Sequence, residues 1–86
     1  MSQVYWIDTR TAEEYAGGHH DEACLIPYEE IGARIAEVTT DKDADIRVYC
    51  RTGRRSGVAK DTLNAMGYTN VTNEGGIKEV LGIDPE

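Results

Sequence analysis

Ile46-Arg47-Val48-Tyr49-Cys50-Arg51-Thr52-Gly53-Arg54-Arg55-Ser56 is the stretch on which the fold turns. An apolar, β-favouring run, Ile46–Tyr49, leads into Cys50. A short turn containing Gly53 follows, and a helical pattern starts at Ser56. A strand that ends in this way delivers its last side chain to the carboxyl edge of a sheet, where open α/β folds place their ligands. A glycine turn can curl successive backbone N–H groups toward one point and form an anion-binding nest. The helix that follows aims its positive end at the same point. Arg51, Arg54 and Arg55 add positive charge. Each of these features favours an ionised cysteine and an anionic substrate beside it.

Working outward, the flanks alternate between strand and helix. Val4–Ile7 is a continuous apolar run ending at Asp8, and it suits a buried strand of a parallel sheet. Thr11 followed by Glu14 is a capping box, which predicts a short helix over Ala12–Ala16 closed by Gly17 and Gly18. Cys24–Ile26 reads as a brief strand stopped by Pro27, with Cys24 as a small core residue. Ile31, Ile35 and Val38 recur at helical spacing and predict a helix over Tyr28–Val38. Ser56–Met66 reads as the longest helix, capped by Gly67. Asn70–Thr72 reads as a strand and Asn73–Gly76 as a turn. Ile77–Leu81 starts a last helix that stops by Gly82 and Pro85. This alternation predicts one small α/β domain over residues 1–86, with a mostly parallel sheet flanked by helices.

Size and charge narrow the function. A chain of 86 residues holds one modest core. Its 16 acidic against 9 basic residues give a formal charge of -7, which argues against nucleic-acid binding. Because three of the basic residues adjoin Cys50, the expected picture is an electropositive pocket in a negative body. Two cysteines without C-x-x-C spacing read as free thiols. No apolar stretch is long enough for a membrane span. The chain reads as cytoplasmic if Met1 is the native start, and as periplasmic if it is a mature form whose signal peptide has been removed. His19, His20, Asp21, Glu22 and Cys24 cluster in sequence but match no zinc spacing, so neither a metal nor a cofactor is expected.

Four segments together resemble the single-domain rhodaneses, in particular the small phage-shock rhodaneses of bacteria. They are Trp6-Ile7-Asp8-Thr9-Arg10, Gly18-His19 through Ala23 to Ile26-Pro27, Val48 through Ser56, and Gly67-Tyr68 with Val71 and Gly75-Gly76. His20 stands where the family usually has an apolar residue, and Glu22 where it usually has glycine. The resemblance implies a rhodanese-like fold with a central sheet of about five strands. It also implies thiosulfate sulfurtransferase activity on a monomer. The donor would be a small sulfur anion, thiosulfate, and the acceptor cyanide or a thiol, the latter on a small molecule or a protein.

In that chemistry Cys50 is the nucleophile and carries a persulfide. Arg51, Thr52, Gly53, Arg54, Arg55 and Ser56 form the substrate-binding loop. Arg51 and Arg55 flank the turn and are the leading candidates for guiding the anion, while Arg54 reads as pointing outward; the sequence does not order the three. Thr52 either donates a hydrogen bond to the sulfur or is an ordinary turn hydroxyl. Asp8 and Arg10 either support the loop or form a salt bridge away from it. Two other readings compete. Phosphatases and arsenate reductases of the C-x5-R type have an arginine six residues after the cysteine, where this chain has Ser56. A persulfide carrier or interaction module with little turnover on thiosulfate would use the same loop.

Overall fold

Strand β1 (Val4–Asp8) is followed by helix α1 (Ala12–Ala16), strand β2 (Ala23–Leu25), helix α2 (Ile31–Arg34), strand β3 (Asp45–Cys50), helix α3 (Arg54–Ala65), strand β4 (Val71–Gly76) and helix α4 (Ile77–Leu81). These elements come from a computed structural model, which describes residues 3–82. The strands form one parallel sheet in the order β2-β1-β3-β4. This is the predicted α/β layer architecture, with four strands rather than about five among the described residues. The four β-favouring runs of the sequence each form one strand, and the segment between β2 and β3 holds α2 with 3-10 turns on either side of it, Tyr28–Glu30 and Ile35–Glu37.

The sheet separates two cores. On one face Ile7, Ile46 and Val48 pack with Ile26, Ile31, Ile35, Ala59 and Leu63. On the other face Tyr49 packs with Ala23 and Ile77, flanked by Trp6, Val80 and Leu81. The two inner strands β1 and β3 are thus covered from both sides. This explains why they read as continuous apolar runs rather than as alternating ones.

Several boundaries differ from the sequence reading. The predicted helix over Tyr28–Val38 is three short turns instead. Its isoleucines and Gly32 are weak helix formers, yet the spacing still buries Ile31 and Ile35. Gly32 lets α2 approach α3 closely, since a Cβ there would sit 3.3 Å from the Thr62 side chain. Helix α3 begins at Arg54, two residues before Ser56, because Gly53 reverses the chain in a single left-handed step at φ +96°. Asn73–Gly76 is strand rather than turn: pairing with β3 overrides its turn-prone composition, through an irregular register between Val48 and Cys50. Strand β2 starts one residue early, which turns Ala23 inward and leaves Cys24 exposed, not in the core. Helix α4 ends at Gly82, in the left-handed conformation at φ +74°. Met1 and Pro85 lie outside the described residues.

Candidate active site

Cys50 ends β3 at the carboxyl edge of the sheet and has no exposed surface. Gly53 folds the chain back so that its own N–H reaches the Cys50 Sγ at 2.9 Å. Burial pushes the Cys50 pKa up. The Ser56 hydroxyl, when turned to the sulfur, and the N–H groups of Ser56, Thr52 and Gly53 outweigh that effect, and the thiol lies below its ordinary value. This is the predicted nest, built from a glycine turn and the first turn of α3. Thr52 is exposed and contributes through its backbone N–H.

The nest is closed by glycines from β4. A Cβ on Gly76 would collide with the Arg51 carbonyl oxygen, and one on Gly53 would meet the Gly75 Cα at 3.2 Å. Backbone therefore packs on backbone here, and any side chain would push the loop off the strand. The Asn73 side chain completes the contact. Its Nδ2 donates to the Gly53 carbonyl at 2.9 Å, and its Oδ1 accepts from Ser56 Oγ at 2.7 Å and from the Gly75 N–H at 3.0 Å.

The arginines divide into two sets. Arg55 grips Glu14 with both guanidinium nitrogens, at 2.8 and 3.0 Å. That contact is the largest of the influences that pull the Glu14 pKa down to about 2. Glu14 also accepts from the Thr11 N–H, so one member of the α1 capping box also anchors the first turn of α3. Arg10 pairs with Asp8, Arg34 with Glu30 and Arg47 with Asp45. Among the described residues only Arg51 and Arg54 hold no carboxylate, and both are exposed on either side of Gly53.

Asp8 and Arg10 form a buried, multiply bonded pair, whose guanidinium also donates to the Gly18 carbonyl at 2.7 Å. The pair fixes the chain between β1 and β2. Next to it, Thr9 donates to the Tyr49 carbonyl through both its N–H and its hydroxyl, which ties β1 to the strand of Cys50. The adjacent histidines go to separate partners. The His19 ring stacks on Tyr15 at 3.6 Å between centroids, and the His20 ring on Trp6 at 4.0 Å. His20 thus fills an apolar role with its ring face, while its N–H donates to the Tyr49 hydroxyl at 2.9 Å. A groove of about 630 Å³ lies against Tyr5, Trp6 and Cys24 and does not include Cys50.

Asn73 and the second role of Glu14 escape a sequence reading. Asn73 sits in a stretch with turn composition, and Glu14 lies 41 residues from Arg55. No local periodicity connects either of them to Cys50.

The model of the rhodanese-like domain matches residues 1–82. The chain belongs to the rhodanese-like family. It is 46% identical over 76 residues to the thiosulfate sulfurtransferase PspE of Escherichia coli (strain K12), covering 88% of this chain and 73% of that protein. It is 40% identical over 75 residues to a sulfurtransferase of Allochromatium vinosum, covering 86% of this chain and 68% of the other. Among solved structures, a rhodanese with anions from E. coli superimposes with a TM-score of 0.88 at 44% identity, covering 92% and 93% of the two chains. Among the described residues of this rhodanese domain, no helix is long and apolar enough to cross a membrane.

Proposed function

We propose that the protein is a thiosulfate sulfurtransferase that works through a persulfide on Cys50. The carrying observation is the sulfur itself: a cysteine at a strand end, held 2.9 Å from the Gly53 N–H and acidified by the loop around it. The Cys50 thiolate attacks the outer sulfur of thiosulfate. The S–S bond of thiosulfate breaks, its electron pair leaves with sulfite, and a cysteine persulfide anion remains. Cyanide or a thiolate then attacks the outer persulfide sulfur, departs as thiocyanate or a new persulfide, and regenerates the Cys50 thiolate. Charge and atoms balance in both halves, and neither needs a cofactor.

The protein's part is electrostatic. N–H groups aimed at Sγ also face the outer sulfur when it is added, and they need no reorganisation during the reaction. Arg51 and Arg54, which form no ion pair among the described residues, supply donors for the sulfonate oxygens. Arg55 can join them only by leaving Glu14. Cys50 has no exposed surface, so the loop must move for thiosulfate to reach the sulfur.

The decisive assay runs thiocyanate formation from thiosulfate and cyanide beside hydrolysis of an aryl phosphate, with Cys50→Ser as the blank. Cysteine-dependent thiocyanate without phosphate release is expected. Phosphate release without thiocyanate would overturn the reading. Neither product would point to a persulfide carrier, which loading by a cysteine desulfurase would then reveal.

A further inference from the structure

The Ser56 hydroxyl has one proton and two claimants. Asn73 Oδ1 lies 2.7 Å from Ser56 Oγ, and Cys50 Sγ lies 3.5 Å from it. The orientation of the Asn73 amide is fixed by its other contacts. The Gly75 N–H can only donate and must face the amide oxygen, whereas the Gly53 carbonyl can only accept and must face the NH₂ group. The amide oxygen therefore points at Ser56, and the shorter bond takes the proton.

We propose that Asn73 is a positioning residue for Cys50: it holds the Ser56 proton off the sulfur until the sulfur is charged, and it pins the carbonyl of Gly53. With a neutral thiol, Ser56 donates to Asn73 and presents a lone pair to the S–H. With a thiolate or persulfide anion, the hydroxyl turns to the sulfur, and Asn73 Oδ1 keeps only the Gly75 N–H while Nδ2 still holds the Gly53 carbonyl. Charging the sulfur thus costs a short hydrogen bond, so Asn73 limits how acidic Cys50 becomes. A thiolate stabilised too far is a poor nucleophile, because nucleophilicity falls with pKa. The charged groups around the sulfur are separate from this switch. Arg55 of α3 favours the thiolate and is held by Glu14 of α1, with Asp8 of β1 also acting on Arg55. Arg51 lies on the loop, Arg54 opens α3, and Glu74 of β4 is committed to Arg47.

The inference rests on Cys50 being the reactive thiol, and its readout is alkylation. It can therefore fail while sulfur transfer stands. The test measures iodoacetamide alkylation against pH in a Cys24→Ser background. Asn73→Ala frees the Ser56 proton and should lower the Cys50 pKa by about half a unit to one unit. In a Ser56→Ala background the same substitution should give no such lowering. Asn73→Asp keeps both acceptor contacts and adds negative charge, so it should raise the pKa. An Asn73→Ala shift of the same sign and size in both backgrounds would overturn the proposal and leave a merely structural asparagine; so would a rise, or no change. If Asn73→Ala does not fold, Asn73→Asp decides alone, and a lowered pKa there refutes the proposal.

Discussion

The two cysteines reverse the usual rule about burial. Cys24 is exposed on a strand at the edge of the sheet, and Cys50 is sealed at the end of an inner one. Partial burial of the Cys24 thiol pushes its pKa up, outweighing its own backbone N–H and the charge of Arg34. Cys50 is buried more completely, yet its pKa falls. What separates them is the number of hydrogen-bond donors aimed at the sulfur, not solvent access. Desolvation destabilises a thiolate only until fixed dipoles replace the lost water.

The largest effect should come from removing each sulfur in turn. Cys50→Ser should reduce thiocyanate formation by several orders of magnitude, to the rate without protein. Cys24→Ser should leave it close to the parent rate. A thiosulfate-treated sample should gain one sulfur on the Cys50 peptide by mass spectrometry, and a gain confined to the Cys24 peptide would reverse the comparison.

The next test sharpens it. Alkylation monitored separately for the two peptides should give Cys50 an apparent pKa below that of a free thiol, near 8.5, and Cys24 one above it. At neutral pH Cys50 is then the more ionised thiol despite being the less exposed. Ser56→Ala should narrow the gap, raising Cys50 by about half a unit to one unit, since one donor to the thiolate is lost. No movement would mean that the backbone N–H groups alone set the acidity.

A smaller effect is expected at Glu14. Glutamine preserves the capping box while removing the charge that occupies Arg55. Glu14→Gln should lower KM for thiosulfate by about two- to five-fold, in keeping with a partly exposed ion pair, and leave kcat little changed. A raised KM would mean that Glu14 positions Arg55 for substrate instead of competing for it. The same variant tests acid stability. The folded-state pKa of Glu14 is depressed to about 2, so its contribution is complete above the ordinary glutamate value and lost as pH falls toward 2. Unfolding measured across that window should show a shallower pH dependence in Glu14→Gln.

The sequence carried the local half of this site. The strand Ile46–Tyr49, the Gly53 turn and the capping box of Thr11 and Glu14 depend on neighbours within a few residues, and all three form where the pattern places them. Non-local pairing was not legible. Asn73–Gly76 has turn composition and becomes strand only because β3 lies beside it. Cys24 follows an alternation that a three-residue strand is too short to display. The bond between Arg55 and Glu14 joins the first turn of α3 to the capping box of α1 across the fold, so charge counting placed Arg55 with the free arginines when its partner was already part of another motif.

The strand order has a consequence for self-association. An open sheet offers two unpaired edges, each a template on which another chain could add a strand. Here one edge is β2, only three residues long. The other is β4, whose last residues depart from regular register, carry Gly75 at φ +95° and run straight into α4. Neither edge offers a long, flat row of free N–H and carbonyl groups. The glycines that let the nest close over Cys50 therefore also blunt one edge against strand addition, and a substitution at Gly75 or Gly76 would threaten solubility as well as sulfur chemistry.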